Sequence, residues 1–100
     1  MDAAGRWELE VAGPLGRFTV DVRIDEHGGV AASVDGRPIE VVGVQLTREG
    51  DGHRARWTQQ LTTPMRLKVA VDALLVGDRL TGSAKAGPLF RAGLQGRRVG

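Results

Sequence analysis

Apolar and polar residues alternate along most of this chain, the period-2 mark of strands with one buried face. The cleanest run is Arg17 to Asp25, where Phe18, Val20, Val22 and Ile24 point one way and Arg17, Thr19, Asp21 and Arg23 the other. Trp7, Leu9 and Val11 alternate with Glu8 and Glu10 in the same manner. Further runs place Val30, Ala32 and Val34 on one face, then Ala55, Trp57, Gln59 and Leu61, then Met65, Leu67, Val69 and Val71. The last two use smaller residues: Leu80, Gly82, Ala84 and Ala86, followed by Phe90, Ala92, Leu94 and Gly96.

Turn signals punctuate these runs at Ala12-Gly13-Pro14, Asp25 to Gly29, Asp35-Gly36, Glu49 to Gly52, Thr62-Thr63-Pro64, Val76-Gly77-Asp78 and Gly87-Pro88. Asx and Gly residues accept the left-handed conformations of tight hairpins, and Pro fixes φ. Eight strands are predicted, over roughly 6–12, 16–24, 29–34, 37–47, 53–61, 65–75, 79–86 and 89–97. Links this short favour an up-and-down meander over a Greek key, which needs a long crossing. An open meander leaves two unpaired edges, so closure of the last strand onto the first is expected. The expected fold class is an all-β, eight-stranded antiparallel up-and-down barrel filling residues 1–100 as one domain.

One segment competes. Thr63-Pro64, then Met65 to Val76, then Gly77, carries a helix's N-cap, first-turn proline and C-terminal glycine. Against it, Met65, Leu67, Val69 and Val71 alternate with Arg66, Lys68, Ala70 and Asp72, which favours a strand. Adjacent apolar residues at Val41-Val42 and Leu74-Leu75-Val76 break the alternation. Either β-bulges switch the face there, or Val42, Val44, Leu46 and Leu74 lie outside and mark a homodimer or partner-binding face.

Composition narrows the function classes. The chain has 41% hydrophobic residues, no cysteine, 14 basic residues against 12 acidic, and a formal net charge of +2. Without Cys there is no disulfide, thiolate metal site or thiol nucleophile. Arginines, 12 of the basic residues, are scattered among acids, so no nucleic-acid partner is expected. No run approaches a membrane span and no export signal opens the chain, so no membrane partner is expected and the cytoplasm is the expected compartment. His27 and His53 fall in turns without convergent ligands, so neither a metal nor a haem or other cofactor is expected. Ser33 and Ser83 alternate outward, and no nucleophile elbow or phosphate-cradling glycine loop occurs.

Gly5-Arg6-Trp7 opens the first strand, and in this the chain resembles the calycin superfamily of lipocalins and avidins, whose first strand opens on Gly-x-Trp. In those barrels an arginine from the last strand lies across the tryptophan. The resemblance gives that role to Arg98 or its neighbour Arg97, with Trp7 and Arg98 as a plug. The chain also resembles small bacterial β-barrel domains in Pro64-Met65-Arg66-Leu67, Gly77-Asp78-Arg79-Leu80-Thr81-Gly82 and Gly96-Arg97-Arg98. It is shorter than most lipocalins, and the polar ligand-reading residues of avidins have no evident counterparts.

The resemblance implies a mouth at the end opposite the plug, where a ligand meets Leu15, Arg37, Thr62, Met65 and Leu89 first. Phe18, Trp57 and Phe90 would line the wall, and Arg37, Gln59 and Thr62 would orient polar groups. Seven inward positions are Gly or Ala (Ala32, Ala55, Gly82, Ala84, Ala86, Ala92 and Gly96), five of them on the last two strands. That pattern reads equally as a hollow or as small residues opposite large ones in a packed core. The expected function is binding of a small, largely apolar molecule inside the barrel. The alternatives are a barrel enzyme that folds an apolar natural-product-type substrate for cyclisation or isomerisation, and a non-enzymatic interaction or accessory module with a packed core. Gln59, the uncharged polar residue in mid-strand, must bond either a neighbour or a ligand.

Overall fold

Residues 3–13, 16–61, 67–88 and 90–100 are described by a computed structural model. Eight strands follow in order: β1 (Gly5–Gly13), β2 (Gly16–Ile24), β3 (Val30–Val34), β4 (Arg37–Glu49), β5 (Gly52–Leu61), β6 (Leu67–Val76), β7 (Arg79–Ala86) and β8 (Phe90–Arg98). Each pairs antiparallel with the next, and β8 returns to β1 from Trp7↔Arg98 to Ala12↔Gly93, so the sheet is a closed barrel. The all-β, eight-stranded, up-and-down expectation is the fold observed. The registers accumulate a stagger of about ten residues around the barrel, which tilts the strands by roughly 35–45°.

The segment with competing helical signals is strand over Leu67–Val76, while 63–66 lie outside the described residues. Val69, Val71, Ala73 and Leu75 are buried, while the alternating Lys68 and Ala70 are exposed and Asp72 and Leu74 half-buried. A helix would have wound that polar set around all sides of its axis.

Alternation packs the interior. Trp7, Leu9 and Val11 from β1 meet Val20, Val22 and Ile24 from β2, Trp57 from β5, Leu80 from β7 and Leu94 from β8 in one buried cluster. Trp7 is 0% exposed and Trp57 2%. At ~25 cal/mol per Å2 over the ~150–250 Å2 an aromatic side chain buries, each contributes on the order of 4–6 kcal/mol of gross transfer free energy.

The broken alternation in β4 is a bulge. Val42 opposes Thr58 and Gln45 opposes Arg56, so Gly43 and Val44 together face Trp57. Gly43 has φ +65°, the left-handed value the first residue of such a bulge adopts. The extra residue returns Val44 and Leu46 to the core side, against which both pack. Of the two alternatives the sequence left open on β4, the bulge is the one observed, and Val42 alone of Val42, Val44 and Leu46 is exposed. β6 shows no such shift, so Leu74 is outward and half-buried and Val76 exposed.

β3 is the shortest strand. It pairs with β2 only through Asp21↔Ser33 to Ile24↔Val30, and with β4 only through Ala32↔Ile39 to Val34↔Arg37. Asp35 and Gly36, at φ +52° and +76°, make the tight turn between them. Because β3 stops there, the Gly16–Val20 part of β2 is paired on the β1 side alone.

Candidate functional site

The two ends of the barrel differ. At the end formed by the start of β1, the β6–β7 turn and the C-terminus, Arg98 lies over Trp7 with its guanidinium carbon 4.7 Å from the ring centroid. Arg98 Nη1 donates to the carbonyl of Ala4, Nη2 to that of Gly77 at 3.1 Å, and Nε to Asp78 Oδ1 at 2.9 Å. Trp7 Nε1 donates to the Ala3 carbonyl at 2.9 Å. The backbone ties in too: Arg98 N–H donates to the Asp78 carbonyl, Arg6 N–H to Gly100, and Val99 N–H to Arg6. Guanidinium suits this place, since its planar fork stacks on indole while its N–H groups satisfy carbonyls at the strand ends. Arg97, the other candidate for the role, opposes Glu8 and Arg79 on the exposed outer face. The acceptors Ala3, Ala4, Gly77 and Asp78 do not follow from the sequence, where Gly77-Asp78 marks a turn and a shared motif but not a partner for Arg98.

Deeper in, Trp57 Nε1 donates to Gln59 Oε1 at 2.9 Å. Residues two apart on a strand share a face, so both point inward, with Gln59 nearer the mouth. Gln59 is 8% exposed, the buried polar side chain among the described residues, and its strand neighbours are Val41 and Val69. Its carboxamide oxygen is therefore satisfied by its neighbour, one of the two partners the sequence allowed.

The mouth is built from fewer described parts, because Leu15, Thr62, Met65 and Leu89 lie outside the described residues. Phe90 is half-buried against the core at the start of β8, close to Gly13 across the seam. Phe18 is 44% exposed, on the rim rather than in the wall. The cause is the short β3, which leaves the first half of β2 uncovered on one side. Arg37, opposite Val34 at the turn into β4, is exposed on the same rim.

The small residues of β7 and β8 divide into two sorts. Ala84, Ala86 and Ala92 are buried and present short side chains to the interior. Gly82 and Gly96 leave no unused volume. A Cβ at Gly82 would run into the Asp72 carbonyl and the Ala73 backbone of β6, and one at Gly96 would stand 2.9 Å from the Glu8 carbonyl oxygen and 3.2 Å from Leu9. These glycines let neighbouring strands approach.

Charge stays outside. Arg54 bridges Glu49 and Asp72, Arg56 also reaches Asp72, Arg6 pairs with Asp21 and Arg17 with Glu10. The Arg54 guanidinium holds the Glu49 carboxyl below its ordinary pKa. Backbone N–H groups of Gly29 and His27 do the same for Asp25, whose carboxylate folds the β2–β3 turn around itself. Such exposed pairs are individually weak. Among the described residues no three His, Asp or Glu side chains gather as metal ligands. An open depression at the plugged end is lined by Arg6, Arg23, Ile24, Asp25, Val30 and Gly100, at the end of the barrel opposite Arg37 and Phe18.

The arrangement is thus an apolar interior, sealed at one end, with one hydrogen-bonded carboxamide on its inner wall and aromatic and cationic groups on the opposite rim. Comparison with family models, curated proteins and solved structures finds no match to the chain.

Proposed function

We propose that the chain is a calycin-like barrel that binds a small, largely apolar molecule, admitted at the end opposite the Trp7–Arg98 plug. The observation that carries this reading is the asymmetry of the ends. One end is closed by stacking and hydrogen bonds, whereas the other leaves Phe18 44% exposed and Phe90 half-buried, and the barrel wall there carries the short Ala84, Ala86 and Ala92 side chains. An aromatic exposed on the rim offers apolar surface to a ligand entering there. Trp57 and Phe90 would line the wall, Phe18 would cover the ligand, and Arg37 would meet any polar tail at the rim. The outer face carries the charges and the inner face the apolar side chains, the reverse of a membrane barrel, which supports an aqueous setting.

Native mass spectrometry of the purified chain, paired with quenching of tryptophan fluorescence by medium-chain ketones and terpenoid hydrocarbons, tests the proposal. One retained molecule per chain with quenching is expected. Absence of both retention and quenching overturns it, and release of a rearranged product would replace binding by cyclisation or isomerisation.

A further inference from the structure

We infer that the interior selects ligands carrying a hydrogen-bond acceptor, such as a ketone, ester or ether oxygen, and reads that oxygen with Gln59 Nε2. This rests on the binding role proposed above and adds the chemical class of the ligand. An indole N–H can only donate. The 2.9 Å contact between Trp57 Nε1 and the Gln59 carboxamide therefore requires the amide oxygen to face the ring. That fixes the otherwise ambiguous amide orientation by chemistry. The NH2 group is then turned away from Trp57 with two donors to place, and among the described residues it has no partner.

Gln59 is 8% exposed, and its strand neighbours are the apolar Val41 and Val69. No buried side-chain nitrogen or oxygen among the described residues is left without a hydrogen bond, so Nε2 is the end of Gln59 that solvent reaches. A ligand entering from the mouth displaces that solvent. If it brings an acceptor, the donors are satisfied again; if it brings only hydrocarbon, they are stranded, at a cost. A ligand offering only donors faces N–H groups of its own kind. Trp57 thus acts as a positioning residue that sets which half of the carboxamide is displayed.

Three nine-carbon probes separate the cases: 2-nonanone accepts, nonane does neither, and nonylammonium only donates. Affinities are read by displacement of a fluorescent apolar probe from the intact chain. The ketone's advantage is the factor, roughly three- to tenfold, by which Gln59 raises its affinity relative to that of nonane, the worth of one net hydrogen bond, with nonylammonium weakest. Gln59→Leu and the near-isosteric Gln59→Met should each remove the ketone's advantage while nonane still binds, which also reports that the variants are folded. A ketone-to-nonane affinity ratio that is the same in the natural chain and in both variants overturns the inference but leaves apolar binding standing. If no probe displaces the reporter, the binding role falls with it.

Discussion

Trp7 and Arg98 stand directly opposite each other in the pairing that closes β8 onto β1, and the guanidinium of one covers the indole of the other at 4.7 Å. Plug and seam are therefore one interaction. The side chain that seals the end also holds the last strand to the β6–β7 turn through Gly77 and Asp78. Arg98→Ala removes the stacking and leaves carbonyls to find water. It is expected to destabilise the fold by about 2–4 kcal/mol, lowering the melting temperature by ~10 °C or more. Arg98→Lys keeps the charge but not the planar fork and should fall between the two. Thermal unfolding followed by circular dichroism measures both; a melting temperature within a degree or two of the natural chain would contradict the plug.

Glycines on neighbouring strands should respond oppositely. Gly82→Ala drives a methyl into the β6 backbone, and a cost of ~1–3 kcal/mol is expected. Gly93 lies on the exposed outer face of β8, where a Cβ meets nothing within 4 Å. Gly93→Ala should be neutral or stabilise by up to ~1 kcal/mol by restricting the unfolded chain. Urea denaturation of the pair checks this, and equal effects would mean that strand approach at Gly82 is not tight.

β3 is the weakest sector of the wall. It has four pairs to β2 and three to β4, whereas β5 has nine to β6. Amides of Val30 to Val34 should exchange with deuterium through local opening well before those of β5 and β6. Uniform protection around the barrel would remove this distinction.

Acid should destabilise the chain through Asp25 and Glu49. Both carboxyls have folded pKa values below their ordinary ones, Asp25 through backbone N–H groups and Glu49 through Arg54. Their contribution is therefore present above the usual carboxylate range, near pH 4, and is lost as pH falls through the folded values. Between about pH 6 and 8 these two groups should leave the melting temperature flat. Asp25→Asn keeps an acceptor but has no charge to lose, so its loss of stability below pH 4 should be smaller; an unchanged acid slope would exclude Asp25 as a contributor.

The barrel was legible because its determinants are local. Alternation in 17–25 and 65–71 assigns faces, and short turns such as Asp35-Gly36 restrict how consecutive strands can join. The plug was legible through Gly5-Arg6-Trp7 at the start of the first strand and the Arg97-Arg98 pair at the end of the last. What escaped was non-local. The exposure of Phe18 depends on where β3 ends and on the β2–β3 register, neither of which is written near residue 18. Val41-Val42 announced a disturbance, but only the pairing with β5 shows that Gly43 and Val44 form a bulge across from Trp57 and turn Leu46 inward. Gly82 read equally as part of a hollow or of a packed core, because the β6 backbone that fills the space is brought there by strand pairing. The Trp57–Gln59 bond lay between these cases: the shared face follows from spacing, the rotamers that join the side chains do not.

The most direct test of a ligand inside the barrel is to titrate the 15N-labelled chain with 2-nonanone and follow the two indole N–H signals together with the Gln59 side-chain amide. Binding within the barrel predicts saturable shifts of the Trp57 indole and the Gln59 NH2, with Trp7 beneath Arg98 unmoved. Saturable shifts confined to outer-face amides such as those of Val42 and Val76, with Trp57 and Gln59 silent, would contradict it.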